Sequence, residues 1–366
     1  MTSSVSPIVH PSDEDPVAIG GSEVLGGPMG RFARNLGWWL PVRILIVITA
    51  ITYALGYLLD YSCRATGWAA PGRYEHLCYS DIPPLYSLRG FADGYLPYLQ
   101  TPPGGQPLEY PVLTGIFMQI SAVITNIITN VATSLDTART FFDVNVLLLF
   151  IPLVITVIAT SMTVRRRPWD ALMVAAAPTM ILAATINWDL LPLAFSGVAF
   201  VLWSRRHEFS AGLLLGLAIA AKFYPLIFLA GFLLLTLRTG MWKAFGQLVL
   251  GSAIAWLAVN IPFMIANFDG WSYFYLFSKV RGEDFGSPWF AMTQWGIHGV
   301  PADSLNTVAT GAFILLAAAI GVLVLAAKRR PRLPQVLFLL IAAFVLTNKV
   351  YSPQYVLWLI PLAVLA

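Results

Sequence analysis

A carboxylate beside two aromatic residues and a rigid proline pair is the first feature of this chain that could do chemistry. Asp81 lies in the segment 78–86, between Tyr79 and Tyr86 and just before Pro83 and Pro84. A positioned aspartate can take a proton from a hydroxyl and so act as a general base. The same pattern also occurs in a simple turn capped by an Asp side chain. Asp81 is therefore a candidate base that needs support from the rest of the sequence.

Two further carboxylates lie where predicted helices begin. Asp189 follows Asn187 in a turn between two predicted membrane spans, where an ionisable group is costly unless it is paired or used. Glu109 and Tyr110 come just before a helix that opens on a proline, and an acidic residue there ordinarily stabilises the helix dipole. Asp189 is accordingly the stronger functional candidate of the two.

Three isolated cations could bind an anion. Lys222 interrupts the apolar stretch 211–237, and Lys349 separates two apolar stretches. Arg281 lies with Glu283 and Asp284 in the last large loop. A lysine at a helix end can simply extend its ammonium group toward water. The topology derived below places all three outside, however, where the bias of cations toward the cytoplasm gives no reason for them. Because lysine and arginine bind phosphate through charge-assisted hydrogen bonds, the sequence predicts a site for an anionic lipid head group.

Cysteine and histidine usage narrows the chemistry further. Cys63 and Cys78 are the only cysteines, and an oxidising outer compartment favours a disulfide between them, although two free thiols remain open at this point. His298 has no second histidine at ligand spacing, so we predict no metal site. The sequence has no Walker motif, glycine-rich dinucleotide loop or Ser-His-Asp pattern. We therefore predict no cofactor, and ATP-driven transport by this chain alone is not favoured.

The elements that must position these residues are membrane helices. The chain is 58% hydrophobic and 11% charged, with a mean hydropathy of +0.73, whereas soluble domains carry about 25% charged residues. Apolar runs of about the length that crosses a bilayer occur at 42–59, 144–164, 244–261 and 308–327. The predicted fold is an all-α, polytopic transmembrane bundle. Basic residues are spread through short loops rather than clustered, so no nucleic-acid partner is predicted.

Charge asymmetry predicts the orientation in the cell (plasma) membrane. Cytoplasmic loops carry an excess of Lys and Arg, and one alternating assignment puts 14 of the 22 basic residues inside and 12 of the 18 acids outside. The basic residues that this assignment places inside are Arg31, Arg34, Arg43, Arg165, Arg166, Arg167, Arg205, Arg206, Arg238, Lys243, Lys328, Arg329, Arg330 and Arg332. Residues 1–35 are predicted to be a disordered cytoplasmic tail without a cleavable signal, and 36–366 the membrane domain.

Parity then constrains the first large loop, predicted to span residues 60–140 outside. An outer loop followed by an inner basic triplet at 165–167 requires an odd number of crossings between them. Two apolar stretches are present, and 111–131 is the weaker because Gln119, Ser121, Asn126 and Asn130 interrupt it. We therefore predict that 111–131 is an interfacial or re-entrant helix rather than a span.

The remaining spans are predicted to form short hairpins. The pairs are 170–187 with 190–204, 209–222 with 225–237, and 335–348 with 353–366, and a late loop at 263–305 lies outside. About ten or more crossings result. Several helices of about 14 residues are short for a bilayer, which predicts local thinning or a water-filled cavity on the outer side. The sequence stops inside an apolar run, so we expect that it belongs to a longer protein.

Taken in order, these motifs resemble glycosyltransferase family 87, an actinobacterial family in the GT-C superfamily of polyprenyl-phosphate-dependent enzymes. The similarity covers roughly residues 40–366. The motifs that carry it are Ser80-Asp81-Ile82 with Tyr86, Glu109-Tyr110-Pro111, Ile186-Asn187-Trp188-Asp189, Ala221-Lys222-Phe223-Tyr224-Pro225 and Tyr351-Ser352-Pro353-Gln354-Tyr355. The resemblance implies a GT-C type bundle.

The resemblance also implies an activity. It is an inverting transfer at the outer face from a polyprenyl-phosphate sugar, often mannose, to a lipid or glycan acceptor, without a metal. Asp81 matches the family's general base, and Lys222, Arg281 or Lys349 would stabilise the departing phosphate. The remaining motif residues are then expected to bind substrate, namely Tyr86, Glu109, Tyr110, Asn187, Asp189, Tyr224, Tyr351 and Gln354.

Two other classes of protein remain open from the sequence. A secondary transporter or lipid flippase could use Asp189 and Lys222 as a coupled pair, although such charges usually lie near the membrane midplane. A noncatalytic partner of an envelope glycan complex would keep the fold and tolerate loss of Asp81. All three hypotheses share a multi-pass bundle in contact with membrane lipids.

Overall fold

The described part of the chain is helical throughout. A computed structural model describes residues 39–164, 167–297 and 300–366, and it contains α-helices and short 3-10 turns but no β-strand within those ranges. The predictions for the tail at 1–35, for Arg165 and Arg166 of the basic triplet, and for His298 lie outside the described residues. The prediction of an all-α fold is confirmed for the part that is described.

Seventeen α-helices are numbered here along the described chain. They are α1 (Trp39–Leu59), α2 (Tyr61–Thr66), α3 (Gly72–Glu75), α4 (Ile82–Leu88), α5 (Val112–Val131), α6 (Thr137–Thr163), α7 (Leu172–Ala175), α8 (Pro178–Ala183), α9 (Leu190–Ser204), α10 (Glu208–Ala221), α11 (Leu226–Thr239), α12 (Trp242–Ala266), α13 (Phe268–Val280), α14 (Pro288–Gln294), α15 (Ala302–Ala326), α16 (Leu333–Thr347) and α17 (Val356–Leu365). Two 3-10 turns, Pro168–Ala171 and Pro353–Tyr355, precede α7 and α17.

Five of the helical segments are long and apolar enough to cross a membrane. They are Pro41–Thr66, Val112–Val131, Thr137–Thr163, Trp242–Ala266 and Asp303–Ala326. Five shorter apolar helices accompany them, at Leu190–Ser204, Glu208–Ala221, Leu226–Thr239, Leu333–Thr347 and Pro353–Leu365. This composition is that of a multi-pass membrane helix bundle, whereas the count of ten or more crossings stays a prediction.

One predicted span has a different local structure. The segment 170–187 is not a continuous helix but a 3-10 turn followed by the short helices α7 and α8. The chain breaks at Ala177, which is extended at φ −63° and ψ 127° because it precedes Pro178. A residue before proline is driven out of the helical region by the proline ring, and the hydropathy pattern alone did not register this break.

Small residues bring α10 and α12 into close contact. Gly212 and Gly216 lie four residues apart on α10, the spacing that lets helix backbones approach in membranes. A Cβ atom on Gly212 would lie 2.2 Å from the carbonyl oxygen of Leu248 on α12. Ser252 of α12 donates to the Gly212 carbonyl at 3.1 Å. These contacts hold α10 closely against α12.

One end of the bundle gathers the start of α6, the start of α9 and the end of α10. Trp188 donates its indole N–H to Asn145 of α6 at 2.7 Å. Lys222, just after α10, pairs with Asp189, just before α9, at 3.3 Å. The 15 residues of α9 then lead to Arg205, about 22 Å away at 1.5 Å per residue. We call the end that carries Asp189 the site end.

Basic residues collect at the opposite end. Arg205 follows α9, and Arg330 lies within electrostatic range of Arg206 and Arg238. Arg238 also donates to the carbonyl of Ala327 at 2.6 Å. This separation of charge along the bundle has the sign that the positive-inside rule requires. Placement of the site end outside the cell stays a prediction.

Helix α5 has both of its ends at the site end. Thr114, in its first turn, donates to the carbonyl of Ala221 at the end of α10 at 2.6 Å. Three turns later Asn126 accepts from the hydroxyl of Tyr86 at 2.6 Å, and the Tyr86 ring stacks on Phe141 near the start of α6 at 4.5 Å. The length and composition of α5 would permit a span, so its interfacial placement stays a prediction.

The first large loop is fastened to the bundle in two ways. Cys63 and Cys78 form a disulfide 15 residues apart in sequence. Ser80 donates to the carbonyl of Thr185 at 2.8 Å, and the Asp81 N–H donates to the carbonyl of Ile186 at 2.8 Å. These bonds hold the segment that carries Asp81 against the turn before α9.

The close contact of α10 with α12 generates a stability prediction. Gly212→Ala is expected to lower the thermal unfolding midpoint in detergent micelles, because the new Cβ meets a backbone carbonyl and overpacking costs about 1–3 kcal/mol. Gly311→Ala in α15 is the control, since nothing lies within 4 Å of its Cβ position. Equal unfolding midpoints for the two variants would contradict the close packing.

The placement of α5 generates a labelling prediction. Both cysteines are disulfide-bonded, so Ile120→Cys places a single free thiol at a site whose side chain is 50% exposed. A membrane-impermeant maleimide is expected to label it in intact cells. Leu315→Cys, 71% exposed on the long apolar helix α15, is the control that is expected to resist labelling from either side. Equal protection of both thiols would make α5 a span.

Candidate functional site

Asp81 is held by two side chains that donate to its carboxylate. The Tyr79 hydroxyl donates to Oδ1 at 2.5 Å, and the Asn187 amide donates to Oδ2 at 3.4 Å, a long contact. The main-chain bond from Asp81 to Ile186 fixes the position of the residue, and α4 begins directly after it. Asp81 as a whole residue is half-buried rather than fully enclosed. The carboxylate is therefore oriented and still reachable by a substrate hydroxyl.

Asp189 lies beside Asp81 but is fully enclosed. Its side chain is 1% exposed, and its Oδ1 accepts from the indole N–H of Trp358 at 2.8 Å while Oδ2 contacts the Lys222 ammonium at 3.3 Å. The Asn187 oxygen accepts from the Asp189 main-chain N–H at 3.1 Å. Asn187 thus links the two aspartates: its amide nitrogen donates to the Asp81 carboxylate, and its oxygen accepts from the main-chain N–H of Asp189.

Lys222 is the cation of this site. It follows the last residue of α10 in an extended conformation, so its side chain leaves the helix axis. The ammonium lies 5.3 Å from the centre of the Tyr110 ring and 6.0 Å from that of Tyr355. Aromatic faces attract a cation and leave its N–H groups free. The Lys222 side chain is 17% exposed, so an anion can reach it.

Burial raises the pKa of two site residues that lie outside the helices, Asp81 and Tyr110. Desolvation raises the pKa of Asp81, and the Tyr79 hydrogen bond and the charge of Lys222 oppose that rise. Burial, followed by the charges of Asp81 and Glu109, raises the pKa of Tyr110 well above its usual value. Tyr110 is therefore a neutral donor, whereas a raised pKa suits a base that must hold a proton during reaction.

The other two predicted phosphate-binding cations have protein partners. Lys349 is 7% exposed and donates to the main-chain carbonyls of Lys279, at 3.1 Å, and Arg281. The Arg281 side chain pairs with Asp284 at 2.6 Å and is 40% exposed. Arg281 is within electrostatic range of Tyr355, beside Lys222. Roles for Lys349 and Arg281 in phosphate binding stay predictions, and Lys222 is the better placed of the three.

Several predicted substrate-binding residues are engaged within the protein. Glu109 forms a two-point ion pair with Arg89 at 2.5 and 2.7 Å. Tyr86 is 1% exposed and bonds to Asn126, and Gln354 is 2% exposed and accepts from Ser352 at 2.6 Å. The direct substrate contacts predicted for these residues stay untested, and their observed bonds hold the loops in place.

Tyr224 and Tyr351 each pack near an aromatic residue of the site, Trp358 and Tyr355 respectively. Tyr224 is 3% exposed and stacks on Trp358 with ring centres 4.0 Å apart. Tyr351 is partly exposed and lies 6.2 Å from Tyr355. Of the predicted residues, the structure brings together Asp81, Tyr110, Asn187, Asp189 and Lys222, with Tyr224 packed behind them.

Three residues of the site were not among the predicted ones. Tyr79 and Trp358 donate to the two carboxylates, and Tyr355 lies under Lys222. The position of Tyr79 two residues before Asp81 gave a signal that could have been used. Trp358 lies inside an apolar run, so hydropathy gives no reason to single it out. The one available signal is its indole N–H, which requires a partner when it is buried.

The described residues contain no group of three or more His, Cys, Asp or Glu side chains that could hold a metal ion. The ammonium of Lys222 is the positive charge beside the two carboxylates, and both oxygens of Asp189 already have donors. The site therefore combines a reachable carboxylate, a partly exposed ammonium and an aromatic lining. Metal independence itself stays a prediction.

Comparison with known proteins gives one match. The sequence model of glycosyltransferase family 87 matches residues 110–353, two thirds of the 366 residues. The matched segment includes Tyr110, Asp189, Lys222 and Lys349, whereas Asp81 precedes it. No curated protein and no solved structure matches the chain.

The enclosed ion pair generates a stability prediction. Lys222→Met leaves Asp189, which is 1% exposed, without a cation, and an unpaired buried charge costs on the order of 3 kcal/mol. The thermal unfolding midpoint in micelles is expected to fall, and the double variant Asp189→Asn with Lys222→Met is expected to recover most of the loss. Arg281→Met breaks a far more exposed pair and is expected to cost about 1 kcal/mol or less. Equal losses for the two single variants would contradict this account.

Proposed function

The chain belongs to glycosyltransferase family 87, and on that premise we propose that it transfers a sugar from a polyprenyl-phosphate donor to a lipid or glycan acceptor. We place the reaction at the extracytoplasmic face of the cell membrane, with mannose as the expected sugar. The observation that carries the proposal is that Asp81 and Lys222 lie in one group, linked through contacts of Asn187 and Asp189. One group can accept a proton, and the other can stabilise a departing phosphate.

Asp81 is proposed as the general base of an inverting displacement. Its carboxylate takes the proton of an acceptor hydroxyl while the oxygen of that hydroxyl attacks the anomeric carbon. The bond from the anomeric carbon to the phosphate oxygen breaks, and the phosphate leaves with the electron pair. Attack opposite to the leaving group inverts the configuration at the anomeric carbon, so no covalent sugar-enzyme intermediate is required.

Lys222 is proposed to stabilise the negative charge that develops on the departing phosphate. An ammonium in a site of low dielectric acts strongly on such charge and needs no reorganisation at the moment of reaction. Its contact with Asp189 is 3.3 Å long, and its other neighbours are the rings of Tyr110 and Tyr355. Asp189 holds the ammonium in position, and Trp358 in turn holds Asp189.

The surroundings of the site suit a lipid-linked substrate. The helices α9 and α10, with 15 and 14 residues, are about 22 and 21 Å long and hence shorter than the roughly 30 Å hydrocarbon layer. Helix ends that stop short of the interface can admit a lipid head group. The aromatic rings around Lys222 offer apolar contact for the first isoprene units of the donor.

The transporter hypothesis receives less support from the placement of the charges. Asp189 lies directly before α9 and Lys222 directly after α10, so both occupy helix ends. Coupled charges in transporters usually lie near the midplane, between broken helices of related repeats. The variant Asp81→Asn distinguishes the other two hypotheses, because an enzyme loses activity with it and a noncatalytic partner tolerates it.

Removal of the proposed base tests the activity directly. Asp81→Asn is expected to reduce kcat/KM at least about 100-fold, because general base catalysis contributes about 10²–10⁴. The assay follows transfer of labelled mannose from polyprenyl-phosphate-mannose by purified protein, and EDTA is expected to leave the rate unchanged. Asp93→Asn, an exposed carboxylate of the same loop, is the matched control. Equal transfer by Asp81→Asn and wild type would remove Asp81 from the mechanism.

The hydrogen bond from Tyr79 generates a pH prediction. Asp81 must be ionised to act, so kcat/KM is expected to fall as the pH drops through its pKa, which burial has raised. The Tyr79 hydroxyl stabilises the ionised form, so Tyr79→Phe is expected to raise that pKa further and shift the acidic limb of the pH profile to higher pH. Tyr61→Phe, 67% exposed, is the control. An unshifted limb in Tyr79→Phe would show that its hydroxyl does not act on the base.

A further inference from the structure

Three side chains form a stacked cluster directly next to Asp81. The rings of Tyr74 and Tyr79 are stacked with centres 5.7 Å apart and an angle of 15°. The guanidinium of Arg73 lies 4.8 Å from the Tyr74 ring centre and 5.6 Å from that of Tyr79, and it donates to the Tyr74 hydroxyl at 2.8 Å. Tyr79 in turn donates to Asp81. We call Arg73, Tyr74 and Tyr79 the aromatic platform.

Arg73 and Tyr79 leave one face of the Tyr74 ring uncovered. The three distances among Arg73, Tyr74 and Tyr79 are nearly equal. Partners on opposite faces of Tyr74 would lie much farther from each other, so Arg73 and Tyr79 lie on the same side of that ring. Tyr74 is 53% exposed. The opposite face of its ring can therefore receive a ligand.

The platform is held by a strained and cross-linked loop. Arg73 and Tyr74 lie between the cysteines of the disulfide, and Tyr79 follows Cys78 directly. Leu77 adopts a positive φ of 56° and is 64% exposed, a conformation that bulky residues rarely adopt without a local reason. The Nε atom of Arg73 is buried and has no acceptor among the described residues.

We propose that the aromatic platform binds a sugar ring of the acceptor. This inference rests on the proposed function. A pyranose ring presents an apolar face of C–H groups that stacks on an aromatic plane, and its hydroxyls pair with a guanidinium. Tyr74 and Arg73 supply both features. The hydroxyl contact of Tyr79 places this subsite next to the proposed base, where the attacking hydroxyl must lie.

A purely structural role is the competing explanation for the same contacts. Stacking of Arg73 on the two tyrosines could serve only to stabilise the loop. That role predicts loss of stability, or of kcat through displacement of Asp81, when Tyr74 is truncated. Binding of the acceptor predicts a change in acceptor KM alone. The two explanations therefore differ in a measurable way.

The test compares Tyr74→Ala with Tyr74→Phe and with Tyr61→Ala, the truncation of another exposed tyrosine in the same loop. Octyl mannoside is the acceptor probe and polyprenyl-phosphate-mannose the donor. Tyr74→Ala is expected to raise the KM for octyl mannoside about tenfold, the loss that corresponds to one aromatic contact. The kcat, the donor KM and the unfolding midpoint are expected to stay unchanged. Tyr74→Phe and Tyr61→Ala are expected to behave as wild type.

The other possible results count either against the sugar subsite or against the proposed function. An unchanged KM for octyl mannoside in Tyr74→Ala overturns the subsite, as does a fall in kcat or in the unfolding midpoint without a rise in that KM. Transfer by wild type to octanol as readily as to octyl mannoside also overturns it. Absence of transfer to either acceptor by wild type counts against the proposed function instead. Saturation-transfer NMR of octyl mannoside, compared between wild type and Tyr74→Ala, then tests the subsite without turnover.

Discussion

A carboxylate that is 1% exposed at the end of a membrane helix is the constraint on which the site depends. Asp189 cannot be left without donors there, because an unpaired charge removed from water is very costly. Its donors come from distant parts of the chain, Lys222 after α10 and Trp358 in α17. The need to pair this one group therefore brings three helix ends together. The first large loop then docks beside it through Asn187.

The sequence was sufficient for the class of fold and for the members of the central group. Composition predicted helices in a membrane, and isolated charges in apolar surroundings singled out Asp189 and Lys222, which the structure pairs at 3.3 Å. Asp81 came from a family resemblance and its surroundings, and it lies in the same group. These residues meet because a charge in an apolar run must find a partner, and their roles in a reaction stay predictions.

What the sequence could not give is the partner of each polar group. Lys349 looked as free as Lys222, yet its ammonium donates to the carbonyls of Lys279 and Arg281, residues 70 and 68 positions earlier in the chain. Glu109 is likewise bound to Arg89. Such pairings depend on how loops pack, which hydropathy does not encode. The break of 170–187 at Ala177 was missed for a different reason, since the residues around it are apolar and only Pro178 carries the signal.

The trio of Asp81, Asp189 and Lys222 has a consequence for charge balance during turnover. When both carboxylates are ionised, they and the ammonium together carry a net charge of minus one, and Lys222 lies between two anions. When Asp81 accepts a proton, that sum becomes zero. In the proposed reaction this neutralisation coincides with the growth of negative charge on the phosphate. Lys222 then has one fewer anion beside it, so it interacts more strongly with the leaving group at that step. Deprotonation of the acceptor and departure of the donor lipid would then be coupled by electrostatics, without movement of the protein.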